Sequence, residues 1–283
     1  MPGEAVVASD SWFFGCTACG KCCNSAPRLR VPELFHHQAR FVGCLGLQRR
    51  GFDVEFFVHA FAFSSQKACP ALLADGGCAI HDDYKPSVCG IVPLDGSLPD
   101  SQQARVLALR RRDARFWGAD CIREQPAPGY RELTRQLRVV DPEAQSSLAR
   151  YRREQAAEDL YWIVATTRFF GPELLDQPER VRRIPEDGAL TVSLVPVLSI
   201  LAETSPACHE RVRGFVRAQN TLKRELIESA VARRNADDRS DTALLRRLLR
   251  TSEAFAVELE RLPPRERSRS PEHVSALEAW LGV

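Results

Sequence analysis

The chain has no apolar run close to the ~18 residues that a membrane-crossing helix needs. Its longest, around Leu190 to Ala202, is broken by Ser193, Pro196 and Ser199. There is no charge excess either: the net charge is +2, which gives no electrostatic case for a nucleic-acid or acidic-membrane partner. The opening residues, MPGEAVVASDSW, lack the basic stretch and long apolar core of a secretory signal. A cytoplasmic protein is therefore expected. Lysine is scarce (Lys21, Lys67, Lys85 and Lys223), and arginine carries the rest of the positive charge. No internal repeat is visible. G-x-G-x-x-G, H-E-x-x-H and C-x-x-x-C-x-x-C are all missing, so a dinucleotide fold, a zincin protease and a SAM-cleaving cluster have no support.

Cysteine is what the chain does have. Four of its ten cysteines fall in eight residues, Cys16-Thr-Ala-Cys19-Gly-Lys-Cys22-Cys23. In a reducing compartment such a density points to thiolate ligation or redox work rather than to disulfides. Thiolates are soft anionic ligands suited to zinc and to iron–sulfur clusters. The C-x-x-C-x-x-C part has the spacing that wraps a [4Fe–4S] cluster in bacterial ferredoxins. Neighbouring side chains tend to diverge, so Cys22 and Cys23 are expected to serve two centres, or one to ligate while the other buttresses. Cys69, Cys78, Cys89 and Cys121 follow, and these eight are the candidate metal ligands. They suffice for two four-cysteine sites, or for one cluster with spare redox thiols. Cys44 and Cys208 read as small buried apolar residues.

Nine of the ten cysteines precede residue 125, and the chain changes character near residue 140. The first part is dense in turn signals, such as Ala74-Asp-Gly-Gly77 and Pro126-Ala-Pro-Gly129. It reads as a loop-rich, cysteine-ligated metal domain over 1–140, with short helices and a small strand pair. Within it, Pro32 to Leu47 suggests a helix or two, and Ala104 to Leu109 a strand. Asp141-Pro142 and Ser205-Pro206 are helix starts with a cap and a proline at the first position. Leu148, Tyr151, Leu160, Ile163 and Val164 then share a face, as do Leu222, Leu226, Ile227, Ala230 and Val231, and Leu244, Leu245, Leu248, Leu249 and Phe255. Pro263-Pro264 ends that last helix. A short charged linker, Pro264 to Pro271, precedes a final helix with Leu277, Trp280 and Leu281. The fold class expected is mainly α, with a helical bundle or cover over 141–283.

The run Cys16–Cys23, with Cys69-Pro70-x-Leu72, Asp75-Gly76, Cys78-x-Ile80-His81, Lys85-Pro86 and Cys89, resembles the C-x-x-C-x-x-C-C cysteine-cluster family. That family is described as a zinc- or iron-chelating domain of the YkgJ type. It includes flagellin lysine N-methylases, thought to carry an iron–sulfur cluster. The resemblance covers about residues 12–130. It implies a metal ion or cluster as partner, an iron–sulfur cofactor of the [4Fe–4S] kind with zinc as the alternative, and, for a methylase, S-adenosylmethionine and a protein substrate. A third reading is a zinc-stapled scaffold for protein contacts. The chain departs from the family in carrying Lys85 where arginine is frequent before the proline, and Gly90 where arginine is frequent after the cysteine.

Other signals are weaker. Gly15 to Cys22 matches most of a phosphate-binding loop, but Cys22 replaces the hydroxyl that would hold Mg²⁺. Lys21 reads instead as a charge that favours the thiolates. His36-His37 reads as exposed or helix-capping, and His81 as packing or as a donor to a cluster sulfur. Arg110-Arg111-Arg112 with Arg115 reads as a solvated basic face. Phe56, Phe57, Phe61 and Phe63 read as core beneath the cluster, and Trp162, Phe169 and Phe170 as bundle core.

Overall fold

The computed structural model describes residues 11–23, 25–50, 53–66, 68–112, 121–170, 190–261 and 271–283, without the side chains of 50, 53–54 and 160–170. Its contacts form two units, each assembled from two stretches of chain: residues 1–27 with 71–157, and 28–70 with 158–283.

In the first unit an antiparallel sheet has the order β5-β1-β6-β7. Its strands are β1 (Ser11–Phe14), β5 (Ile122–Arg123), β6 (Arg131–Arg135) and β7 (Arg138–Val139). Strand β1 is central, pairing Phe14 with Ile122 on one side and Trp12 with Thr134 on the other. Trp12, Ile122, Leu133 and Val139 are buried against Ala104, Leu107 and Ala108 of α3 (Gln103–Arg112) and Ala144 and Leu148 of α4 (Pro142–Phe170). Burying side chains of this size stabilises by roughly 1.5–3 kcal/mol each. Ala104 to Leu109 is thus helix, not strand. Ala104, Val106, Leu107 and Ala108 are buried while Arg105 and Leu109 are exposed, a broad apolar helix face that a six-residue run does not distinguish from a strand.

Two polar features of α3 and its surroundings bond to backbone inside this unit. Gln103 is fully buried; its amide accepts from the Asp95 N–H and donates to the Asp95 and Leu98 carbonyls. Arg110 donates to the Pro93 and Leu94 carbonyls, and Arg111 to that of Ile122. Arg110 and Arg111 thus clasp backbone, while Arg111 and Arg112 are exposed, so part of the run does form the expected solvated face. Arg115 lies outside the described residues.

The second unit's sheet has the order β2-β4-β3-β8. The long hairpin of β3 (Gly43–Arg50) and β4 (Asp53–Ala60) is flanked by β2 (Arg28–Leu29) and β8 (Leu190–Val192). Around it lie α1 (Val31–His36), α5 (Val195–Ala202), α6 (Pro206–Arg233), α7 (Arg239–Arg261) and α8 (Pro271–Leu281). Val42, Cys44, Phe61 and Phe63 pack with Ala230, Leu245 and Leu248, and Phe35 stacks on Phe215 with centroids 4.1 Å apart. Phe61 and Phe63 therefore belong to this unit's own core. The expected helical stretch Pro32 to Leu47 holds one short helix and then a strand. His37 closes α1 through its N–H to the Glu33 carbonyl. The backbone then extends at Gly43, where any Cβ would lie 2.2 Å from a Leu34 methyl.

Helices α4, α6 and α8 begin at the expected Asp-Pro and Ser-Pro signals. Asp141 accepts from the Ala144 N–H, and Ser205 from that of Cys208. Helices predominate, but the two four-stranded antiparallel sheets make the fold mixed α/β rather than mainly α. Most strands were hidden because their runs are short or carry glycine and arginine, which mask a two-residue alternation; β4, with neither, was read only as aromatic core. No described helix is long and apolar enough to cross a membrane. The side chains of Leu160, Trp162, Ile163, Val164, Phe169 and Phe170, and the linker before residue 271, lie outside the described residues.

Candidate metal centre

The cysteine run is a loop between β1 and a single 3-10 turn at Lys21–Cys23. A phosphate-binding loop would open a long helix here, so that reading finds no support. The Gly15 N–H donates to the Cys121 carbonyl, tying the loop's start to the segment before β5. Ala18 and Gly20 both take left-handed conformations, with φ of 51° and 68°.

The Asp75-Gly76-Gly77 turn supports this loop. The Gly77 N–H donates to Asp75 Oδ1, and Leu72 bridges Cys78 antiparallel across the turn. Gly76 has φ +85°, and a Cβ there would lie 1.9 Å from the Ala18 carbonyl oxygen. The backbone of the cysteine run thus rests directly on this glycine, which a side chain would push away. Nothing in cysteine spacing announces this contact; the signal was the glycine pair itself.

Two sulfur pairs result. Cys19 Sγ is 4.0 Å from Cys121 Sγ, and Cys22 Sγ is 4.0 Å from Cys23 Sγ. The expected divergence of Cys22 and Cys23 does not occur: the turn closed by the Cys23 N–H on the Gly20 carbonyl brings both sulfurs together. None of the ten cysteines forms a disulfide. Thr17 Oγ1 lies 3.0 Å from Cys121 Sγ, a contact cysteine spacing gave no sign of. Cys16, Cys19 and Cys22 are exposed and Cys121 is buried. Cys78 and Cys89 are half-buried in the same unit, Cys89 following Pro86 at the start of α2 (Ser87–Gly90). Cys69 falls in the second unit with Cys44 and Cys208, and these last two are fully buried.

The thiols differ in acidity. Burial pushes Cys19 up, yet the Lys21 backbone N–H and the Thr17 hydroxyl outweigh it and hold Cys19 below the ordinary thiol range. Cys121 is raised, chiefly by burial. Cys22 is raised far more, by the Cys23 thiol hydrogen-bonded to it and by burial, with the Lys85 ammonium opposing. Lys21 therefore acts through its backbone, and the cation felt at Cys22 is Lys85. The exposed His81 side chain accompanies a backbone N–H that donates to the Cys78 carbonyl. At Gly90 the missing side chain leaves room for Arg150, whose Nη2 lies 3.4 Å from where a Cβ would be.

A tetrahedral metal with bonds of about 2.3 Å to sulfur sets its ligand sulfurs about 3.8 Å apart. Each pair spans nearly that edge and so offers two thiolates at the spacing an ion needs, while no three cysteine sulfurs among the described residues lie within 4.8 Å of one another. Residues 15–109 match the family model CxxCxxCC, described as a putative zinc- or iron-chelating domain. The match covers the run and the segment through Cys89, and ends within α3. No curated protein and no solved structure matches the chain. Zinc or iron chelation by this part of the chain is what the match supports.

Proposed function

We propose that the first unit is a thiolate-based metal-binding module, with Cys19, Cys22, Cys23 and Cys121 as the nearest donors and Cys16, Cys78 and Cys89 completing the set. The observation that carries this is the pair of 4.0 Å sulfur contacts built on one loop. A bound cation would supply the energy to deprotonate Cys22, the thiol least ready to ionise alone, so loading releases protons. Thr17 and the Lys21 N–H hold the Cys19 sulfur in place, and the Gly76 turn holds the loop. The ferredoxin-like spacing and seven cysteines in the unit favour an iron–sulfur cluster as occupant; the 3.8 Å edge favours a single zinc or iron ion. Cys69 enters this set only by its place in the sequence pattern.

The test is anaerobic purification with iron, zinc and sulfide counted on one sample. Cys19→Ser and Cys22→Ser should lose most of the bound metal, and Cys44→Ser and Cys208→Ser should keep it. Metal retained at wild-type stoichiometry in Cys19→Ser would refute the assignment. Iron with equal sulfide means a cluster; zinc without sulfide means a structural ion.

A further inference from the structure

The second unit buries a lysine for which the described residues supply no hydrogen bond or ion pair. This is Lys223, on α6, only 6% exposed. It lines a small cavity between α5, α6, α7 and the start of β3, together with Ser193, Leu194, Val195, Gln219 and Ser252. The space is about 10 Å³, enough for one water-sized occupant, and it is partly open to solvent.

The lining is mostly apolar, its polar side chains being those of Lys223, Ser252, Ser193 and Gln219, and it contains no carboxylate. Ser193, Leu194 and Val195 are the N-terminal end of the eight-residue helix α5, where no side chain caps Leu194. Ser193 Oγ accepts from the Val195 N–H, Pro196 has none to give, and the Val197 N–H has no acceptor among the described residues. That end of the helix carries partial positive charge. The Ser252 hydroxyl is also without a hydrogen bond among the described residues. Gln219 does not compete for an occupant: its Oε1 accepts from the Gly43 N–H and its Nε2 donates to the Gln38 and Phe41 carbonyls.

We infer that this cavity is a binding site for a small monovalent anion of halide size, held by the Lys223 ammonium, the Ser252 hydroxyl and the N-terminal end of α5. An unpaired buried ammonium is costly, and an anion beside it removes most of that cost. Phosphate, or the carboxylate of a larger ligand, would have to part the packing of α5 from α7. The other charged or titratable groups near Lys223 are Cys44, whose thiol burial pushes up to about 12, and Glu253, which pairs with Arg224. Neither lines the cavity. Burial brings Lys223 itself down to about 8, so the site is charged near neutrality and loses its charge above that.

The experiment compares thermal unfolding of the full chain in sodium chloride and sodium gluconate at equal ionic strength, at pH 6.5 and pH 9.5, with chloride-35 line broadening on the same samples. Chloride at about ten times its dissociation constant should raise the midpoint by about 2–4 °C at the lower pH. The rise and the line broadening should both vanish at the higher pH. Lys223→Met should abolish both, while Ser252→Ala, which leaves the lysine in place, should weaken them. Equal midpoints and no broadening at pH 6.5 would overturn the inference, as would broadening that survives in Lys223→Met.

Discussion

At the residue scale, single backbone positions decide whether the cysteines meet. Gly76→Ala should place a methyl against the Ala18 carbonyl at a left-handed position. We expect a loss of about 2 kcal/mol or more in urea unfolding, with metal stoichiometry falling in parallel. Gly77→Ala, whose Cβ would meet only the tip of the Asp75 carboxylate within 3.4 Å, should do far less. The cysteine run and its match to a zinc- or iron-chelating domain were legible, because thiols at this density have few other uses. The support was not. Thr17 and Lys85 act through positions in space that no spacing rule encodes, and Lys21 contributes a main-chain N–H that any residue would supply.

At the element scale, helix starts were legible and strands were not. Asp141-Pro142 and Ser205-Pro206 announce α4 and α6 because capping is a local interaction, complete within four residues. Ser205→Ala should remove the acceptor for the Cys208 N–H and cost about 1 kcal/mol, read by chemical denaturation. The β3–β4 hairpin depends on distant chain, since its outer partner β8 lies some 140 residues later. A second cap is also long-range. Glu158 of α4, 4% exposed, accepts from the Val31 N–H at the start of α1 at 2.9 Å. Burial raises its carboxyl to about 8, with Glu33 and Asp159 adding to the rise and Arg30 opposing it. The folded chain thus holds a proton that the unfolded chain releases near pH 4.5. Stability from this group therefore falls as pH rises from about 4.5 to about 8, by up to about 1.4 kcal/mol per pH unit. Glu158→Gln keeps an acceptor for Val31 and should flatten that slope in denaturation curves taken across the window.

At the scale of the whole molecule, each unit has its own apolar core, but the cysteine loop stands apart from the first unit's core. The second has a continuous apolar core of strands and long helices, whereas the cysteine loop and the Ala71–Ala79 turn have few buried apolar side chains of their own. Removing metal should therefore raise hydrogen exchange across residues 15–23, 71–90 and 121–123, while α6 and α7 keep their protection. Uniform protection after chelation would show that the loop is held by packing alone. The interleaving of the two units also bears on how the chain is made. Cys121 follows Cys23 by 98 residues, a span synthesised in roughly 5–20 s. Throughout that interval Cys19 lacks the buried sulfur it meets in the folded chain, whereas Cys22 and Cys23 can already face each other, so the two sulfur pairs form at different times.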